Sequence, residues 1–172
     1  MPQEPRNSSA RGRGRGRLRP KTGGNHRMQR QPADTDPARQ SGYTEVTRGV
    51  RVSVRTFFLA DQSAPERSHY VWAYRVTITN EGRQTVQLLK RTWLITDAQG
   101  RTQQVHGDGV VGERPVLDPG ESFEYTSGTP LATPSGFMRG AYHMVLTDTG
   151  EGFDVAIPTF SLDSPHQPGR LH

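Results

Sequence analysis

The chain has 172 residues, of which 31% are hydrophobic, and it contains no cysteine. This length fits one domain with an extension, and the lack of thiols excludes disulfides, thiolate metal sites and a cysteine nucleophile. The net charge of +5 is unevenly distributed, because residues 1–41 hold ten Lys/Arg against three Asp/Glu, whereas residues 42–172 hold twelve against fourteen.

The location of the protein is constrained by the lack of long apolar segments. No apolar run approaches the roughly 18 residues that a transmembrane helix needs. The N-terminus also lacks the apolar core of a signal peptide. We therefore expect a cytoplasmic protein that does not insert into a membrane.

The first 41 residues form a separate compositional region, rich in Arg and Gly. Such a segment cannot bury enough apolar surface to offset the entropy lost on ordering, so we predict a disordered tail over residues 1–41. Clustered arginines attract phosphates, which favours RNA or single-stranded nucleic acid as a ligand. The alternative is a solubilising extension without a ligand. The candidate nucleic-acid-binding residues are Arg11, Arg13, Arg15, Arg17, Arg19 and Lys21.

From Tyr43 onward the hydrophobic residues recur with the period of two that is typical of β-strands. Val50, Val52 and Val54 alternate with polar residues, and Thr56–Leu59 continues that strand. The clearest alternation comes next, after a polar loop broken by Pro65. It comprises Tyr70, Trp72, Tyr74, Val76 and Ile78.

Two turns then predict a meander of antiparallel strands. Asn80–Arg83 is the first turn, and it leads into a strand over Thr85–Thr96. Asp97–Gly100 is the second turn, and it leads into Thr102–Val105. Glycine at these turns supplies the positive φ that tight reversals often need.

A glycine-rich stretch follows and carries the spacing G-x-G-x-x-G at Gly107, Gly109 and Gly112. In dinucleotide-binding enzymes that motif joins a strand to a helix. Here Pro115 and the turn at Asp118–Gly120 leave no room for a helix, so we predict a connection between strands. Backbone N–H groups in such a loop can still hold an anion. The candidate phosphate-binding residues are Gly107, Gly109, Val110, Val111 and Gly112; in the other interpretation the glycines only permit tight turns.

Three further strand-like runs complete the chain, at Phe123–Ser127, Phe137–Thr147 and Phe153–Ile157. We predict a loop over residues 128–136, which contain two prolines, and a bulge or an edge at Pro158. Seven or eight short strands with regular turns predict an all-β, immunoglobulin- or fibronectin-III-like sandwich over residues 42–164. A flexible C-terminus is expected over residues 165–172. The expected core aromatics are Trp72, Tyr74, Trp93, Phe123 and Tyr142.

The candidate catalytic and metal-binding residues are few. His106, Asp108 and Glu113 are close in sequence, but no H-x-x-x-H or equivalent spacing occurs, so we expect no metal site. No G-x-S-x-G elbow, P-loop lysine or H-E-x-x-H is present. We therefore expect a protein without catalytic residues or cofactors.

Residues 43–162 resemble the bacterial ApaG domain family. The resemblance rests on several runs in the same order, which are Tyr70–Asn80, Val86–Asp97, Gly107–Pro115, Phe123–Gly128 and Gly136–Tyr142. The family implies a fibronectin-III-like sandwich, in agreement with the strand pattern. It also implies that the glycine motif, here Gly107, Gly109 and Gly112, is a suggested pyrophosphate site.

The function that this resemblance implies is indirect. Bacterial members are associated with cobalt resistance and magnesium efflux, and some are encoded beside a diadenosine-tetraphosphate hydrolase. Related domains in eukaryotic F-box and polymerase-interacting proteins look like protein-interaction modules. We therefore expect a non-enzymatic module that acts through an unidentified protein partner. The alternatives are phosphate or nucleotide binding through the glycine loop and RNA tethering through the tail.

Overall fold

The computed structural model describes residues 42–166, and the predicted tail lies outside this range. The described residues form nine strands and two short 3-10 turns, Ala60–Gln62 and Pro65–Arg67. The strands are β1 (Tyr43–Thr47), β2 (Val50–Phe58), β3 (Tyr70–Asn80), β4 (Val86–Asp97), β5 (Thr102–Asp108), β6 (Val116–Leu117), β7 (Ser122–Leu131), β8 (Ser135–Leu146) and β9 (Gly152–Asp163). None of the described residues belongs to a helix long and apolar enough to cross a membrane.

The strands form two antiparallel sheets that pack face to face. The first sheet has the order β1-β2-β3-β7, and the second has the order β5-β4-β8-β9. The short strand β6 also pairs with β4, at Val86 and Gln87. The backbone N–H of Ala156 in β9 donates to Thr47 Oγ1 in β1 at 3.2 Å, which links the two sheets along one margin. The predicted immunoglobulin- or fibronectin-III-like sandwich is confirmed.

The core lies between the sheets and follows the predicted alternation. Every second residue of β3, from Tyr70 to Asn80, is buried. Trp72 and Tyr142 are fully buried, and Phe160 from β9 packs against the ring of Trp93. Among the expected core aromatics, only Phe123 is partly exposed, although it packs against the buried cluster.

The predicted loop over residues 128–136 is wrong. Strand β7 continues to Leu131 and β8 begins at Ser135, so the connection is only three residues long. The two prolines in this segment led to the prediction of a loop, because proline lacks the N–H that a central strand needs. However, β7 is an edge strand that pairs only with β3, where Pro130 lies opposite Val71. No strand on the other side of β7 needs a hydrogen bond from Pro130. The strand count was also low, because β1 and the two-residue β6 were not predicted.

The prediction of a bulge or edge at Pro158 is confirmed on both counts. Met138 of β8 lies opposite Phe160, whereas Gly140 lies opposite Ile157, so β9 carries an extra residue at Pro158–Thr159. Strand β9 is also the last strand of its sheet. A residue without an N–H fits here because a bulge interrupts the ladder.

Candidate functional site

The glycine-rich loop joins β5 to β6 beside an irregular part of β4. The register of β4 against β8 shifts between Leu88 and Lys90, which places a bulge at Leu89. The N–H of Gly109 donates to the carbonyl of Leu89 at 2.8 Å, and the N–H of Leu88 donates to the carbonyl of Pro115 at 3.0 Å. Both ends of the loop are therefore fixed to β4 at its bulge, and the loop projects from that margin of the second sheet.

A two-residue turn forms the tip of the loop. Val110 and Glu113 exchange two backbone hydrogen bonds, of 2.8 and 2.9 Å. The residues between them, Val111 and Gly112, have φ values of +45° and +79°, as in a type I′ hairpin turn. Val110 is fully buried, so it anchors the turn to the core while the tip faces solvent.

The first two glycines of the motif meet different steric demands. A Cβ at Gly109, where φ is +60°, would lie 2.2 Å from the carbonyl oxygen of Glu113. A Cβ at Gly107 would lie 2.6 Å from the guanidinium of Arg91. The glycine at 109 therefore permits the hairpin to close, and the glycine at 107 makes room for an arginine side chain.

Arg91 supports the loop from beneath. Its Nη1 donates to the carbonyl oxygens of Asp108 at 2.9 Å and Gly109 at 2.7 Å. Two hydrogen bonds from a charged donor to adjacent carbonyls hold the start of the loop more strongly than neutral donors would. Sequence reasoning did not identify this residue, because the two carbonyls lie 17 and 18 positions away and meet it only through the β4–β5 pairing.

Arg91 also lies next to a buried pair of tyrosines. The hydroxyls of Tyr125 and Tyr142 are 2.5 Å apart, and they join the two sheets. Burial raises the pKa of both phenols, while the positive charge of Arg91 acts in the opposite direction. The loop therefore rests on a buried polar cluster that packs against the core.

Some of the N–H groups of the predicted phosphate-binding residues already donate hydrogen bonds within the protein. Those of Gly109 and Val110 donate to protein carbonyls, as described above. The carbonyls of Asp108 and Gly109 face the guanidinium of Arg91. Among the described hydrogen bonds, none uses the N–H groups of Val111 and Gly112, so these two neighbouring amides are the donors that a ligand can reach.

The remaining sequence candidates do not come together in this region. Within residues 42–166, no three His, Asp or Glu side chains are close enough to hold a metal ion. Asp108 Oδ2 lies 3.7 Å from Arg114 Nη2, and Asp108 does not form a cluster with His106 and Glu113. The candidate nucleic-acid residues between Arg11 and Lys21 lie outside the described residues.

Comparison with known proteins identifies the family. The model of the ApaG domain, also called DUF525, matches residues 60–146. Protein ApaG of Rhodospirillum centenum is 66% identical over 128 residues, which are 74% of this chain and 98% of that protein. Protein ApaG of Paramagnetospirillum magneticum is 61% identical over 130 residues, which are 76% of this chain and 99% of that protein. Neither name states an enzymatic activity.

A solved structure agrees with these relatives. The crystal structure of an ApaA protein from Bordetella pertussis is 46% identical, with a TM-score of 0.66, and the match covers 73% of this chain and 98% of that one. The family model spans β3 to β8 with the glycine loop, and the two relatives and this structure each match 73–76% of the chain. The chain therefore belongs to the ApaG domain family.

Proposed function

We propose that the chain is a non-enzymatic protein-interaction module that binds its partner with the tip of the glycine loop. The observation that carries this proposal is the conformation of Val111. A β-branched residue rarely adopts positive φ, yet Val111 has φ of +45° and 57% of its surface is exposed. Strained conformations of this kind cluster at binding sites, where a partner uses the side chain that the strain displays.

The surroundings of Val111 support the same proposal. Val116 of β6 follows on the same margin of the second sheet and is 49% exposed. Apolar side chains exposed along a loop and a strand edge are typical of surfaces that bind other proteins. In the complex, apolar groups of the partner cover Val111 and Val116, which are exposed to solvent in the free chain. The buried Val110 keeps the tip in place.

Site-specific photo-crosslinking tests this proposal. A photoreactive residue is placed at position 111 and, as a matched control, at Val46, a 48% exposed valine on β1 in the other sheet. We expect a discrete crosslinked protein from position 111 and none from position 46. Identical products at both positions, or none at 111, would refute the proposal.

A second measurement separates binding from folding. Once the crosslinked protein is purified, Val111→Asn should weaken its affinity at least tenfold while leaving the chain folded, because asparagine tolerates positive φ. Val46→Asn should leave the affinity unchanged. Equal affinities for the parent chain and Val111→Asn would exclude the loop tip as the contact.

The family's association with cobalt resistance and magnesium efflux fits an indirect role. A module that binds a transport or regulatory protein changes metal handling through that partner. If so, Val111→Asn should alter cobalt tolerance of the cells in the same direction as deletion of the whole chain. Full complementation by the variant would separate metal handling from the loop tip.

Phosphate or pyrophosphate binding is the second candidate function. It is favoured by the adjacent N–H groups of Val111 and Gly112, because successive amides in a tight turn form a small anion-binding concavity. Substitution of Gly109 does not test it, since any side chain there meets the carbonyl of Glu113. Titration with pyrophosphate, followed by amide NMR, should instead shift Val111 and Gly112 and leave Gly150, another glycine with positive φ, unchanged. Unshifted amides at the tip would end this candidate.

RNA tethering through the arginine-rich tail is a third candidate. Residues 42–172 carry two more acidic than basic side chains, so the positive charge that attracts RNA belongs to residues 1–41. Deleting residues 1–41 should eliminate a salt-sensitive mobility shift of single-stranded RNA. A shift that survives the deletion would contradict the proposal.

A further inference from the structure

A line of polar side chains crosses the outer face of the second sheet, apart from the loop tip. Each of the four long strands of this sheet contributes one residue. These residues are His106 of β5, Thr92 of β4, His143 of β8 and Asp154 of β9. His106 lies directly opposite Thr92, and His143 lies directly opposite Asp154. The strand register therefore places two histidines on either side of one threonine.

Hydrogen bonds join these side chains into a continuous chain. Thr92 Oγ1 is 3.0 Å from His106 Nδ1 and 2.9 Å from His143 Nε2. His143 Nδ1 is 2.6 Å from Asp154 Oδ1, so the natural arrangement has Nδ1–H donating to the carboxylate. His143 Nε2 then carries the lone pair and accepts from the Thr92 hydroxyl, which in turn accepts from His106.

We propose that His106 Nδ1 and His143 Nε2 form a binding site for a divalent transition-metal ion of the zinc class. The two nitrogens are each about 3 Å from the same oxygen and so less than about 6 Å apart. For one ion to bind both nitrogens at the ~2.0–2.1 Å of zinc–imidazole bonds, the exposed side chain of His106 must rotate toward His143. Neutral imidazole is the ligand that zinc, copper and nickel prefer, and water completes the coordination.

Asp154 is the feature that favours a metal ion. Histidines that bind metals commonly donate their other ring N–H to a carboxylate, which fixes the tautomer and strengthens the ligand. The contact between His143 and Asp154 has this form. When His106 Nδ1 binds the ion, its proton moves to Nε2, which has no partner among the described hydrogen bonds. The two histidines also line a shallow hollow of about 380 Å³ that is open to solvent, so an ion can reach both nitrogens.

The same Asp–His–hydroxyl order occurs in nucleophilic catalysis, but the position of Thr92 argues against that use. A nucleophile needs nearby N–H donors to stabilise the oxyanion. Thr92 lies on a strand paired on both sides, with His106 and with Ala141, so the backbone N–H groups of that strand serve the sheet. Its hydroxyl is also shared between two imidazoles. A metal ion requires only the two nitrogens.

Titration of the full chain with Zn²⁺ by calorimetry tests this inference. We expect one ion per chain at this site, and His106→Gln or His143→Gln should each weaken it at least tenfold. His69→Gln, which replaces an exposed histidine in the loop before β3, is the matched control and should leave the affinity unchanged. Asp154→Asn should weaken binding by about tenfold or more without removing a ligand.

Histidine NMR and thermal unfolding provide the second readout. Zn²⁺ should shift the ring signals of His106 and His143 together and raise the Tm of the parent chain. The same addition should not raise the Tm of His143→Gln, whose own folding is checked by circular dichroism. Parent-like zinc affinity in either histidine variant, or zinc binding that depends instead on the other histidines, would overturn the inference.

Discussion

Replacement of Gly109 by alanine tests whether the glycine spacing of the loop serves the backbone. A Cβ at this position would lie 2.2 Å from the carbonyl oxygen of Glu113, and φ is +60°. The same carbonyl accepts the N–H of Val110 and closes the hairpin. An alanine must therefore displace this carbonyl or leave the left-handed region, and either movement breaks the turn.

Gly112→Ala is the matched control that sets the magnitude. Gly112 also has positive φ, +79°, but a Cβ there would meet no atom within 4 Å. We expect Gly112→Ala to lower the free energy of unfolding by only about 1–2 kcal/mol, because alanine is strained in the left-handed region. Gly109→Ala adds the cost of overpacking, about 1–3 kcal/mol. The difference between the two variants isolates the contact with Glu113.

Urea unfolding measures this difference. Far-UV circular dichroism and the fluorescence of the buried Trp72 and Trp93 follow the same transition if unfolding is two-state. Equal m-values would show that stability, and not the unfolded state, has changed. If Gly109→Ala and Gly112→Ala lose the same free energy of unfolding, the close approach of Gly109 to Glu113 does not determine the conformation of the loop.

Three further predictions concern the loop and the cluster beneath it. Arg91→Met should lower the free energy of unfolding by about 1–3 kcal/mol, because two carbonyls lose a charged donor; unchanged urea midpoints would contradict this. Val111→Gly should raise it by about 1 kcal/mol through relief of backbone strain, and a lower urea midpoint would argue against the strain. The raised pKa values of Tyr125 and Tyr142 mean that the folded state holds these protons more tightly. The contribution of these two tyrosines to stability should therefore be constant below about pH 10 and be lost above it, and Tyr125→Phe should reduce that loss.

The fold could be predicted where its signal is local. In β3, alternate residues from Tyr70 to Ile78 are large and apolar, and a period of two is sufficient to assign a half-buried strand. The end of β7 could not be assigned in this way, because Pro130 is compatible with a strand only at a sheet edge. Which strands lie at an edge depends on the order of all strands in the sheet, and no local pattern records that order.

The candidate sites also differ in whether their signal is local in the sequence. The glycine motif is visible in the sequence because its members lie within six positions. Arg91 is not visible as its support, since the contact depends on the pairing of β4 with β5. His106 and His143 are 37 positions apart and meet at Thr92 only because β4 lies between their strands. Spacing rules for metal ligands search short separations, so they did not detect this pair.

The loop contains one residue that the fold does not require, and it bears most directly on function. Gly109 is explained by the closure of the hairpin, and Val110 by its burial in the core. A turn with two positive φ values favours Asn-Gly or Asp-Gly at its centre. This chain places a valine in the first of those positions, where it costs backbone strain and exposes apolar surface. Local rules are broken mainly at functional sites, so Val111 is a better guide to the function of the loop than the glycines that make the motif recognisable.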